Sequence, residues 1–234
     1  QCNQNIECVG EIACRIVTCV PPWEWDPSCT NTSATDNQTA FHDRPCLHDG
    51  FTDIAPDAFY TAAVGWMTAN GITTGYTNDL FGPREPAARS HFATFLWRYA
   101  GRPDAPTESG FVDVPTDAWY AQPVSWMVGH GLTMGIGDNR FGPNMILPRS
   151  QAITFLWRLA GAPSASAAHN FSDVSSSDYF DVAVRWAVEN GVTKGISPTR
   201  FGPNEPLTRA QAATFIHRFD LLFHDTLSLP GAVQ

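Results

Sequence analysis

The residues best placed to do chemistry are three arginines, Arg89, Arg149 and Arg209, each at the same point of a recurring stretch. Its fullest version reads Phe201-Gly202-Pro203-Asn204-Glu205-Pro206-Leu207-Thr208-Arg209-Ala210-Gln211. A turn of Gly, Pro and Asn there delivers the backbone into a helix. Thr208 and Gln211 form a capping box, in which the hydroxyl accepts the amide three residues on and the Gln side chain reaches back. Arg209 takes the first helical position, where the macrodipole disfavours a cation. Free helix-end amides beside a guanidinium make a site suited to an anion, and the planar fork of arginine suits a carboxylate in particular. The other versions, Pro148-Arg149-Ser150-Gln151 and Ala88-Arg89-Ser90-His91, give up the capping hydroxyl and keep the arginine. A stretch serving only as a cap would keep the cap, so the retained arginine favours binding. The competing reading is structural: each arginine pairs with Asp53, Asp113 or Asp173 and locks neighbouring segments together.

The elements that position these arginines follow from a repeat. Phe51-Thr52-Asp53, Phe111-Val112-Asp113 and Phe171-Ser172-Asp173 start copies every 60 residues, with no gap needed between them. Trp66, Trp126 and Trp186 align, as do Gly71, Gly131 and Gly191, and Gly75, Gly135 and Gly195. Each copy reads as two helices joined by a loop. In the first, a helix over about 58–69 stops at Gly71, with Tyr60, Ala63, Val64 and Met67 as its apolar stripe. A loop anchored by Phe81 leads to a second helix over about 89–100, which ends at Gly101 and has Phe92, Phe95, Leu96 and Tyr99 as its stripe. Linkers at 101–110 and 161–170 carry Pro, Ala and Ser. Two amphipathic helices cannot close a core alone, so the copies must pack against one another.

Other side chains could join a binding site. Trp66, Trp126 and Trp186 lie about 90° off the first helix's stripe, as Trp97 and Trp157 do on the second. Such tryptophans either pack between copies or line a groove in which sugars stack. His217 stands where the third copy would have the second-helix tryptophan, so the grooves need not be equivalent. Gly75, Gly135 and Gly195 supply a positive φ or a close backbone approach. Arg98, Arg158 and Arg218 lie about 180° around the helix from the first arginines and suit an ion pair instead. His42, Asp43, Cys46, His48 and Asp49 resemble a metal cluster in composition, but their spacing fits no zinc pattern. No nucleophile elbow, phosphate loop or metalloprotease helix occurs. Nothing points to an enzyme or to a cofactor.

Phe-x-Asp-Val, an aromatic six residues after the Asp, Gly-Val-Thr-x-Gly (191–195), Phe-x-Pro-Asn-x-Pro-Leu (201–207) and Thr-Arg-Ala-Gln (208–211) together resemble the S-layer homology (SLH) repeat. The resemblance covers residues 51 to about 220 in three copies. It implies a bacterial surface protein whose three repeats form a pseudo-threefold helical bundle. Grooves between repeats would hold a secondary cell-wall polysaccharide, commonly one bearing ketal-pyruvate, and so tether the protein non-covalently. The family's motif arginine falls on Arg89, Arg149 and Arg209, which would meet the pyruvate carboxylate. The third copy is nearest the pattern, with Gln211 where the family has Glu. The family's conserved aromatic falls on Phe59, Trp119 and Tyr179, expected in the core with an exposed edge. Asp138, Asn139, Arg140, Thr199 and Arg200 could add polar contacts from the loops. The glycan-binding set is therefore Arg89, Arg149, Arg209, Trp66, Trp126, Trp186, Gly75, Gly135, Gly195 and Gln211.

Composition sets the outer limits. The 234 residues are 43% hydrophobic and 16% charged, which describes an ordered globular protein. A net charge of −9 argues against nucleic acid as a partner. Only Lys194 among the 14 basic residues is lysine. Cys2, Cys8, Cys14, Cys19, Cys29 and Cys46 are confined to the first 46 residues, which reads as a disulfide framework in an oxidising, extracytoplasmic compartment. Fifteen pairings are open. That segment is irregular apart from a short helix near 6–20. No run suits a membrane span, and Gln1 reads as a processed N-terminus. The expected organisation is all-α: a cysteine-rich segment over 1–50, then repeats at 51–110, 111–170 and 171–234. The expected function is glycan anchoring at a bacterial surface. The alternative is a self-assembling subunit of a surface layer or filament, a homo-oligomer with intersubunit contacts from the cysteine-rich segment.

Overall fold

The computed structural model describes residues 51–223 in full, together with the backbone of residues 6–8 and 14–16. The disulfide framework, apart from the backbone of Cys8 and Cys14, and the His-Asp cluster at 42–49 lie outside the described residues. Where a helix was expected near 6–20, Ile6–Cys8 (β1) and Cys14–Ile16 (β2) instead pair as antiparallel strands, Ile6 opposite Ile16 and Cys8 opposite Cys14. β-Branched Ile6 and Ile16 favour extended backbone, and Gly10 between them weakens a helix.

The described remainder is helical: α1 Thr61–Ala69, α2 Arg89–Tyr99, α3 Ala121–Gly129, α4 Arg149–Leu159, α5 Asp181–Glu189 and α6 Arg209–Phe223. The chain divides into two compact units, Gln1–Phe81 and Gly82–Gln234, so the division falls inside the first copy.

In the first unit, α1 begins three residues later than expected because residues 55–60 form turns, Ala58 N–H to the Ala55 carbonyl and Thr61 N–H to that of Ala58. It ends as the sequence requires. Gly71 at φ +64° lets its own amide reach the Thr68 carbonyl and that of Ile72 reach Met67, a Schellman closure. Ala63, Val64 and Met67 are buried. The loop returns to Phe81, whose amide donates to the Asp53 carboxylate at 2.8 Å and whose ring meets that of Phe51.

In the second unit, α3 closes in the same way on Gly131, and α2 and α4 on Gly101 and Gly161, while α5 stops at Gly191, φ +70°, with the Gly191 amide on the Val188 carbonyl and that of Thr193 on Ala187. The third copy has Leu221 where the others have that last glycine, and α6 runs on to Phe223. A closed ring of backbone bonds forms the centre. The Ala87 amide donates to the Leu207 carbonyl (2.8 Å), Leu207 to Leu147 (2.9 Å) and Leu147 to Ala87 (2.9 Å). All three residues are fully buried. The starts of α2, α4 and α6 therefore surround one point, two residues after each member of the ring.

Candidate functional site

The two amides opening each of these helices are not left for a ligand. Arg89 and Ser90 N–H donate to the carbonyls of Met145 and Pro143, Arg149 and Ser150 to Glu205 and Pro203, and Arg209 and Ala210 to Glu85 and Pro83. Each helix is thus capped by the loop of another copy, satisfying two of the four donors an α-helix leaves open. This explains why Ala88 and Pro148 can stand where the third copy has Thr208, since neither makes a side-chain cap. The Thr208–Gln211 capping box is present, reciprocal at 3.2 Å in both directions.

The three arginines point inward. Arg89, Arg149 and Arg209 are only 2%, 3% and 3% exposed. The Arg89 Nε–H donates to the Phe141 carbonyl at 2.7 Å, and its Nη1 donates to Gln151 Oε1. The guanidinium lies 4.7 Å from the Phe141 ring centroid and 5.5 Å from that of Phe155. Arg149 repeats this arrangement: Nε–H to the Phe201 carbonyl at 2.9 Å, with the Phe201 and Phe215 rings at 5.1 and 5.2 Å. Arg209 lies 5.4 Å from the Phe95 ring. Burial pushes the Arg89 and Arg149 guanidinium groups down to about 10, against smaller upward pulls from Tyr179 and Asp113 on Arg89 and from Glu205 and Asp173 on Arg149.

The pairing of arginine with Asp113 or Asp173 is replaced by an indirect arrangement. Asp113 accepts the Phe141 and Gly142 amides, each at 2.8 Å, and Asp173 those of Phe201 and Gly202 at 2.8 and 2.9 Å. One loop residue is therefore gripped on both sides, its amide by the aspartate and its carbonyl by the arginine. Neither Arg89 nor Arg149 has an ion-pair partner among the described residues. Arg89 Nη2 is buried and lacks a hydrogen-bond partner. A buried cation without a counter-ion costs stability unless something else supplies the charge.

Among the remaining predicted site residues, Trp126 and Trp186 are each 2% exposed. Trp186 packs against Phe219 and Phe223 of α6, and Trp126 against His130. Burial leaves neither indole face open to a sugar, whereas Trp66 is half-buried. Gly135 and Gly195 are held in place: a Cβ would stand 2.4 and 2.5 Å from the carbonyls of Arg140 and Arg200, and 2.6 and 2.5 Å from the rings of Phe111 and Phe171. At Gly75 a Cβ would come within 2.4 Å of Phe51 and of the Thr77 carbonyl. Arg158 and Arg218, for which the spacing suggested an ion pair, donate to the carbonyls of Leu132 and Val192 in their own copy.

Phe59, Trp119 and Tyr179 are 65%, 58% and 65% exposed, far more than an edge. Each leans edge-on against the next residue, Tyr60, Tyr120 or Phe180. Two adjacent aromatics at the start of a helix cannot both face the core, and that adjacency is the signal by which the sequence could have exposed them. In the second unit they stand beside the arginines. Tyr179 is near enough to pull the Arg89 pKa upward, and the Arg89 Nη1 donates to Gln151. Trp119 stacks on His91 at 5.5 Å, and both burial and Arg209 hold that imidazole below its ordinary range. The result is two combinations of buried guanidinium, polar side chain and exposed aromatic: Arg89, Gln151 and Tyr179, and Arg209, His91 and Trp119.

Comparison with known proteins gives the same three copies. The family model for the S-layer homology domain matches residues 50–93, 110–153 and 170–213, more than half of the chain. The chain is 36% identical over 116 residues to a "Cell surface protein" of Thermoanaerobacter kivui, an alignment covering 47% of this chain and 15% of that protein. It is 31% identical over 167 residues to the "Surface-layer 125 kDa protein" of Lysinibacillus sphaericus, covering 67% and 14%. It is 26% identical over 173 residues to an "Amylopullulanase" of Thermoanaerobacterium thermosulfurigenes, covering 71% and 9%. The chain thus spans less than a sixth of the length of each. With three tandem matches at the fixed spacing of its arginines, the chain belongs to the S-layer homology domain family.

Proposed function

We propose that the chain anchors itself non-covalently to the cell wall by binding an anionic secondary polysaccharide, of the pyruvylated kind, in the grooves that contain its buried arginines. It is an extracellular protein of the cell surface or cell wall. The observation that carries the reading is Arg89, a 2% exposed guanidinium with a partnerless Nη2, no ion-pair partner among the described residues, and exposed Tyr179 near enough to pull its pKa upward. A carboxylate on a ligand would supply the missing charge, and the aromatic would supply a face for the sugar. The net charge of −9 does not oppose this, because charges beyond about 8–10 Å are screened at physiological salt. The role is binding rather than catalysis. Relatives named as surface-layer proteins and one named as an amylopullulanase align over this same region, so its task is separable from what the rest of each protein does. Among the described residues no helix is long and apolar enough to cross a membrane.

The test is sedimentation of the purified chain with bacterial sacculi, intact or stripped of their acid-labile polysaccharide. Binding to intact walls alone is the expected result, and equal binding to stripped walls sinks the reading. A second reading, assembly into a layer of like subunits, is favoured by Val112, Met134 and Leu221, apolar side chains 70%, 82% and 70% exposed. Concentration-dependent assembly without any wall material is its signature.

A further inference from the structure

The side chains at the rim of each arginine differ, and the difference ranks the grooves. Helix α2 starts against the carbonyl of Met145, α4 against Glu205 and α6 against Glu85, through equivalent hydrogen bonds. All three rim residues are exposed. An acid therefore stands beside Arg149 and beside Arg209, but a thioether beside Arg89. Glu205 acts on the charge of Arg149. The same exchange alters the arginine that precedes the loop anchors Phe141 and Phe201. Arg200 is tied to Glu205 at 3.2 Å and lies 3.8 Å from Asp173. Its counterpart Arg140, also exposed, makes no ion pair among the described residues, because Met145 stands where the acid would be. Around Arg149, two arginines face two carboxylates. Around Arg89, Asp113 is the carboxylate that acts on the guanidinium, and both its oxygens are committed to the Phe141 and Gly142 amides.

We propose that the Arg89 groove is the site of highest affinity for the wall glycan's carboxylate, and that Met145, standing where the Arg149 groove has Glu205, sets this preference over the Arg149 groove. The inference rests on the anchoring reading above and adds to it which groove fills first. An anion entering beside Arg149 meets a rim acid whose own partner, Arg200, it must share. One entering beside Arg89 meets the thioether of Met145 instead of an acid, and a guanidinium whose Nη2 lacks a hydrogen-bond partner. A unit charge several ångströms away at a half-exposed rim changes affinity by roughly tenfold.

Nuclear magnetic resonance of the Nε–Hε groups in the full chain tests it, with signals assigned by single Arg89→Lys, Arg149→Lys and Arg209→Lys substitutions. The probe is a size-fractionated, carboxylate-bearing oligosaccharide released from purified sacculi. The Arg89 signal is expected to move at the lowest concentration. Met145→Glu should weaken that response about tenfold and leave the Arg149 response unchanged. Glu205→Met should tighten the Arg149 response by a similar factor. Both positions are exposed, so neither substitution threatens the fold. Saturation of Arg149 or Arg209 before Arg89, or a Met145→Glu chain with unaltered affinity, overturns the ranking while the anchoring reading stands. A chain that binds neither oligosaccharide nor wall overturns both.

Discussion

Replacing Arg89 with methionine separates the structural from the binding use of that residue. Burial pulls the guanidinium down to about 10. The group stays charged at neutral pH, but burying that charge rather than leaving it in water costs on the order of 3 kcal/mol. The Arg89→Met chain is relieved of that cost. It loses the hydrogen bond from Nε to the Phe141 carbonyl and that from Nη1 to Gln151. Stranding one buried carbonyl costs about 1–3 kcal/mol, and losing the contacts with the Phe141 and Phe155 rings about 1–2 kcal/mol. Methionine refills much of the volume and its sulfur suits the same two rings. The opposing changes are of similar size, so net stability should change by no more than about 1.5 kcal/mol. The assay is urea unfolding at pH 7 followed by far-UV circular dichroism, alongside wall sedimentation of the same sample. The expected outcome is near-native stability with weakened wall binding. A loss above about 3 kcal/mol would show that the arginine is held chiefly for the fold and would refute the reasoning. Arg89→Ala would not discriminate, because the cavity alone accounts for a loss of that size.

Three further outcomes follow. Gly135→Ala places a Cβ 2.4 Å from the Arg140 carbonyl at φ +81°, whereas Gly131→Ala at φ +67° meets nothing within 4 Å. The first should cost at least about 3 kcal/mol and the second only about 1 kcal/mol in urea titrations, and equal costs would contradict the packing. Asp113→Asn turns an amide group towards the Phe141 or Gly142 N–H, so it should cost about 1.5–3 kcal/mol, with faster hydrogen exchange at those two amides. His91 is held below its ordinary range, first by burial and then by Arg209. The unfolded chain therefore takes up its proton first as the pH falls, and stability drops as the pH descends through the ordinary histidine range towards the lower folded value. His91→Gln, which copies Gln151 and Gln211, should flatten that decline between about pH 7 and 5 in thermal unfolding. An unchanged slope would assign the acid sensitivity to another group.

What the sequence made legible was local. The period depends only on residue identities recurring at a fixed spacing, and the apolar stripe of α1 and the stops at Gly71, Gly101, Gly131, Gly161 and Gly191 depend on residues within a turn or two of one another. So did the reciprocal Thr208–Gln211 cap. The amides of Arg89 and Arg149 looked free because their acceptors, Met145 and Glu205, lie in the next copy, and no local pattern records such a pairing. The ring through Ala87, Leu147 and Leu207 was hidden for the same reason. Loss of the capping hydroxyl at Ala88 and Pro148 had suggested binding, yet it also follows from the loops taking over the cap. The arginines were correctly placed on their helices, but their burial between phenylalanines depends on tertiary packing. The exposed aromatics were misjudged because position 59, 119 or 179 was weighed without its aromatic neighbour.

The most direct measurement is wall sedimentation of the chain carrying Arg89→Met, Arg149→Met and Arg209→Met together, beside the unsubstituted chain. Circular dichroism and unfolding of both samples establish that the variant is folded. A folded variant that stays in the supernatant while the parent pellets with intact sacculi is the predicted result. A folded variant that pellets as well as the parent would contradict the claim that these arginines hold the wall.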